Sequence, residues 1–223
     1  MAMGAGMDAA LLATLPVAHR LALAYAPARA QAATLALLAL DARLAAIVRA
    51  GGEPVIAQLK LAWWRERMGE RLADWPEGEP LLACLRAAGL APGGLAPLVD
   101  GWEALLGERL DNAAINDFGE GRVRGWLAAA KAIGADTTSG RAEAAARRWA
   151  LADLARNLGD QSEAATVREA AFALPQSCRL PRALRPLAVL EGLSLRALRR
   201  GTGDVLDGPV AMLLAMRLGI AGR

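Results

Sequence analysis

Apolar side chains recur at three- and four-residue intervals along nearly the whole chain, and glycine and proline break the pattern into helix-sized pieces. A first short segment runs from about His19 to Tyr25 and stops before Pro27. From about Ala28 to Ala50 one side is apolar throughout, and Gly51-Gly52 supplies the stop. Pro54 fits a first-turn position, where its missing N–H costs nothing. The helix it opens carries Val55, Leu59, Ala62, Trp63, Arg67 and Glu70 and runs to Trp75-Pro76. A short helix over Leu81 to Ala88 precedes the Pro92-Gly93-Gly94 turn. Longer ones follow over about 97–108, 112–133, 140–158, 162–174, 181–200 and 209–218. The pattern predicts an all-α, single-domain bundle of about eight or nine helices over 17–223, behind a flexible N-terminus at 1–16.

Composition supports that class. Of 223 residues, 55% are hydrophobic but only 4% aromatic, and alanine and leucine outnumber the β-branched residues that strands favour. A chain of 23.3 kDa builds a core without disulfides or a structural metal. The six tryptophans read as core and rim packing. Cys84 and Cys178 form no close pair, which suits reduced thiols in a cytoplasmic protein. Mean hydropathy is +0.26, yet the longest uncharged runs, Ala30–Leu40 and Ala87–Val99, are too short or too broken to span a bilayer. The N-terminus has no basic segment ahead of an apolar one, as a secretory signal would.

Net charge is +3, and the excess concentrates late: Arg179, Arg182, Arg185, Arg196, Arg199 and Arg200 face one acid, Glu191. Such a stretch serves a solvated face or an anionic membrane surface, placing the protein in the cytoplasm or peripherally at the inner membrane face. Nucleic acid is not expected, because no recognition motif accompanies the charge. Triad chemistry has little to work with, since His19 is the only histidine and sits among apolar neighbours. Carboxylates at i, i+4 and i+8 occur at Glu66, Glu70 and Asp74. Arg65, Arg67 and Arg71 interleave with them, as on a solvent-facing, ion-paired helix. Asp153, Asn157 and Asp160 make a second, thinner ligand set.

Several stretches resemble the squalene/phytoene synthase family, the head-to-head isoprenoid synthases. They are Ala26-Pro27 with Leu35–Leu40, the LKLAWWR run at 59–65 (the family's R-L-x-W-W-R), Leu98–Trp102, Glu120-Gly121-Arg122, and LPRALRP at 180–186 (its L-P-x-x-x-R-P). The resemblance covers about residues 17–200 and implies the isoprenoid-synthase fold. Catalytic members hold Mg²⁺ and diphosphate between two aspartate-rich helices. Carried over, the D-D-x-x-D set falls on Ala45, Ala46, Ile47, Val48 and Arg49. The N-x-x-R-D-x-x-x-D set falls on Asp153 through Gln161. Arg156 persists there, but the ligand aspartates have become Asn157 and Gln161.

The resemblance therefore implies a degenerate member, similar to the complex I assembly factor branch, with no catalytic set, no metal and no cofactor. Mg²⁺ ions that neutralise diphosphate need anionic ligands, which alanine and amides do not supply. Candidate anion contacts are Arg49 and Arg156, with Asp153 and Asp160 nearby. An isoprenoid or other lipid, or a membrane-complex subunit, would be the partner. The alternative is an active Mg²⁺-dependent prenyltransferase on farnesyl or geranylgeranyl diphosphate that uses Asp41, Asp153 and Asp160. Leu38, Leu44 and Trp126 are the side chains that could fill the cavity.

Overall fold

The structure is a computed structural model that describes residues 2–50, 53–107, 109–175 and 179–222, with side chains from Asp8 onward. Eleven α-helices and two short 3-10 turns make up the described residues, with no strand among them. In order they are α1 (Ala2–Thr14), α2 (Val17–Ala24), α3 (Ala28–Arg49), α4 (Pro54–Gly69), α5 (Pro80–Ala87) and α6 (Pro92–Ala104). Then come α7 (Asn112–Ala132), α8 (Arg141–Asn157), α9 (Gln161–Ala173), α10 (Arg185–Arg200) and α11 (Gly208–Ala221). Cys178 lies outside the described residues.

Proline at N1 and glycine after the last turn place several boundaries: Pro54 opens α4 as the residues predict, Pro80 opens α5 one residue before its expected start, and Gly201, at φ 65°, closes α10. The helix count exceeds the expected eight or nine, and α10 starts at Arg185, after a 3-10 turn, not at Pro181. Four further features differ. The expected flexible N-terminus carries α1, and Leu11 and Leu15 enter the core. Helix α6 starts at Pro92, because Pro92 itself takes the first-turn position; Pro97 then lies inside the helix. Helix α4 ends at Gly69, so Asp74 sits in a 3-10 turn and not on its face. Helix α8 ends at Asn157, and Asp160 caps a new helix by accepting from the Ser162 and Glu163 N–H groups at 2.8 and 2.9 Å.

Two helices organise the rest. Helix α3 packs against α1, α2 and α4–α7, and α10 against α2, α8 and α11. Helix α7 lies between α6 and α8. Its approach to α6 is set by glycine: a Cβ at Gly121 would meet the Pro97 carbonyl oxygen at 2.4 Å, and one at Gly101 the Asp117 oxygen at 2.8 Å. That contact brings Trp102 of α6 and Arg122 of α7 to the same place on α3. Five tryptophans are buried and Trp63 lies at the surface. Leu38, Leu44 and Trp126 are buried in the core and do not line the central cavity described below. Among the described residues only α3 is long and apolar enough to cross a membrane, and 61% of that stretch is buried inside the fold.

Candidate functional site

A cavity of about 460 Å³ opens between α2, α3, α8 and α10. Ala45 and Arg49 come from α3, Asp153, Arg156 and Asn157 from α8, and His19 from α2. Arg49 and Arg156 lie in the last turns of their helices, where cations suit the dipole. A smaller chamber of about 210 Å³ adjoins it and shares Arg49, Asp153 and Asn157. Its remaining walls are mostly apolar, with Val48, Trp102, Leu105, Phe118, Leu154 and Leu158. Charged groups therefore line both chambers, and each also presents apolar wall.

The floor of the cavity is a buried network that the sequence reading did not single out. Arg122 donates to both oxygens of Asp41, from Nε at 3.1 Å and Nη2 at 2.9 Å. Its Nη1 donates to Asp153 at 2.8 Å. Trp102 Nε1 donates to Asp41 at 2.9 Å, and the Arg122 guanidinium lies 4.3 Å from the Trp149 ring centre. Burial works against the charge on Arg122, but Asp41 and Asp153 more than offset it, so its pKa rises. Burial likewise opposes ionisation of Asp153, yet Arg122, followed by His19, holds its carboxyl below the usual carboxylate range. Asn157 folds back on its own helix, donating to the Asp153 carbonyl at 2.7 Å.

These contacts bear on metal binding. Both Asp41 oxygens already accept from Arg122, and Asp153 accepts from Arg122 with Arg156 at 3.7 Å. Asp160 is a helix cap outside the cavity lining. Gln161 also leaves the site, lining a separate pocket between α8, α9 and the end of α10, because α8 stops four residues before it. Among the described residues no cluster of three His, Cys, Asp or Glu side chains could hold a metal ion. The lining charges are Arg49, Arg122 and Arg156 against Asp41 and Asp153, a cationic excess. Arg49 makes no ion pair among the described residues; its guanidinium lies 6.0 Å from the Trp102 ring.

His19 packs within the fold and also lines this cavity. It meets Trp149 edge-on at 5.9 Å, and its Nδ1 is buried with no hydrogen-bond partner. Burial lowers its pKa, with Asp153 and Asp41 pulling the other way. Neutral imidazole presents one donor and one acceptor, so this enclosed nitrogen leaves one of them unsatisfied.

The acidic and basic runs elsewhere resolve into structural pairs. Arg67 meets Glu66 and Glu70 at 2.7 and 3.0 Å, Arg71 meets Asp74 at 2.9 Å, and Arg65 bridges to Asp100 and Glu103 on α6. The late arginines do not form one solvated face. Arg185 donates to the Gly219 and Ile220 carbonyls at the end of α11, Arg196 donates to the Asp207 carbonyl, Arg200 lies near the Asp207 carboxylate, and Arg199 stacks on Phe172. Burial pushes the Cys84 thiol up to about 11, with a lesser push from Asp8. No protein-family model, curated protein or solved structure matches this chain.

Proposed function

We propose that this chain is a non-catalytic member of the squalene/phytoene synthase-like proteins that binds an anionic isoprenoid or related lipid phosphate and acts as an accessory or assembly protein. The supporting observation is the state of the cavity's carboxylates. Asp41 and Asp153 are held by Arg122, and Arg49 stands where the family pattern has an aspartate. A phosphate group would meet Arg49 directly, with no cation between. The apolar wall of the two chambers, among it Ala45, Leu190 and Leu193 in the larger and Val48, Leu105 and Phe118 in the smaller, would take the first part of a hydrocarbon tail. Ionising an allylic diphosphate requires its departing charge to be neutralised, and this site supplies that charge with arginine alone.

The test is calorimetric titration with geranylgeranyl phosphate and diphosphate, in EDTA and then in Mg²⁺, alongside an assay for diphosphate release. Binding should be equal with and without Mg²⁺, should weaken about tenfold or more in Arg49→Ala with the loss of one charge-assisted contact, and should release no diphosphate. Mg²⁺-dependent binding or release that Asp153→Asn abolishes would instead establish the active-synthase reading.

A further inference from the structure

We infer that α11 is a membrane-docking helix that lies flat on an anionic bilayer, with its basic flank against the lipid phosphates. The helix is seated by small residues at every fourth position: Ala211, Ala215 and Gly219 are buried. A Cβ at Gly219 would collide with the Tyr25 ring at 2.2 Å, so α11 lies directly on the end of α2. Leu214 and Leu218 pack half-buried over Gly192 of α10, and the remaining large side chains face outward. Val210, Leu213 and Ile220 are 57%, 64% and 69% exposed, and Met212 and Met216 accompany them.

Arg217 is the one charged residue in the whole helix. It is exposed on the same side as Leu213 and Ile220, so the outer face is a run of apolar side chains around a single cation. Apolar side chains gathered on an exposed face mark a site of contact. At 14 residues it is about 21 Å long, too short to cross a bilayer and suited to the interfacial plane.

Charge complementarity chooses the occupant. The exposed face runs at Ile220 into a groove lined by Arg141, Arg179, Arg182 and Arg185. Asp136 is the single acid of its lining, and that carboxylate accepts from the Thr138 N–H and hydroxyl. Arg185 is committed to the carbonyls at the end of α11, though its Nε is buried and unpartnered. Arg141, Arg179 and Arg182 are exposed. Apolar side chains beside a row of exposed guanidinium groups match a lipid surface that is apolar beneath its phosphates. The cavity lies close by: Pro16 and Ala18 at the start of α2 and Val205 just before α11 are among its lining residues.

The experiment is co-sedimentation of the full chain with phosphatidylcholine vesicles and with vesicles containing a third phosphatidylglycerol, at low and high salt. Wild type should pellet with the anionic vesicles and be released by salt. Leu213→Glu/Ile220→Glu should abolish pelleting while melting like wild type and binding cavity ligand normally, so this outcome is independent of the cavity's function. Arg179→Gln/Arg182→Gln should weaken binding to anionic vesicles about fivefold per arginine. Absence of pelleting by wild type, or pelleting unchanged in the Leu213/Ile220 variant, overturns the inference. So does sedimentation showing a dimer that Leu213→Glu dissociates without any vesicle binding, which would make a second copy the occupant.

Discussion

Helices α3 and α11 are both strongly apolar, and they meet opposite fates. Helix α3 runs 22 residues with a mean hydropathy of 1.6 over its most apolar stretch, and neighbours on nearly every side bury it. Helix α11 is shorter and carries one charge, and α10 and α2 cover its small residues with Leu214 and Leu218 but leave its other large side chains outside. Apolar composition reports a need to leave water; it does not say whether protein or another phase meets that need. The two helices also place function differently. The end of α3 contributes Arg49 to an enclosed site, whereas α11 offers a surface.

The sharpest way to break this comparison is to put the same charge on each helix. Leu38→Asp buries a carboxylate with no partner in the centre of α3, and the chain should lose its cooperative thermal transition, a cost above about 4 kcal/mol. Leu213→Asp on the outer face of α11 should stay within about 0.5 kcal/mol of wild type in urea unfolding. A large loss from Leu213→Asp would mean that its side chain is covered within the monomer.

A smaller effect tests whether the α3 end of the comparison depends on its ion network. Arg122→Met leaves Asp41 and Asp153 buried without their cation and should cost about 3–5 kcal/mol by denaturant unfolding. Adding Asp41→Asn and Asp153→Asn to that variant should recover much of the loss. Failure to recover would show that shape and not charge holds α3, α7 and α8 together.

The smallest effect is in pH. Because the folded pKa of His19 lies below its unfolded value near 6.5, the unfolded chain takes up a proton first as pH falls. Stability should therefore fall as pH drops through about 6.5 toward the folded value, by at most about 1.4 kcal/mol per pH unit. Asp153 adds a loss of the same sign at lower pH, below its unfolded value near 3.9. Urea midpoints across the upper window should decline for wild type and stay level in His19→Phe. The Leu213→Asp variant should keep the wild-type slope, since α11 does not touch this titration.

Much of the fold is legible because its signals are local. Pro54 and Gly201 mark helix ends by chain geometry alone, whereas Ala45, Arg49, Asp153 and Asn157 are brought together by the family resemblance, and the structure places them on one cavity. Where the reading strays, a competing local group intervenes. Pro92 captures the start of α6 five residues early, and Asp160 caps α9 and so removes itself and Gln161 from the cavity. The network of Arg122, Asp41 and Trp102 has no local signal. Its members are separated by 61 and 81 positions, and only the glycine contact between α6 and α7 brings them together.

The sequence by itself determined the all-helical class and most helix boundaries, because each depends on neighbours within a turn or two of chain. Tertiary structure alone decided which charges pair, that His19 keeps a buried nitrogen without a partner, and which of two apolar helices the protein covers. Those outcomes depend on where distant segments pack. An arginine's partner or a leucine's exposure is a property of the space around it, and that space is built by residues far along the chain.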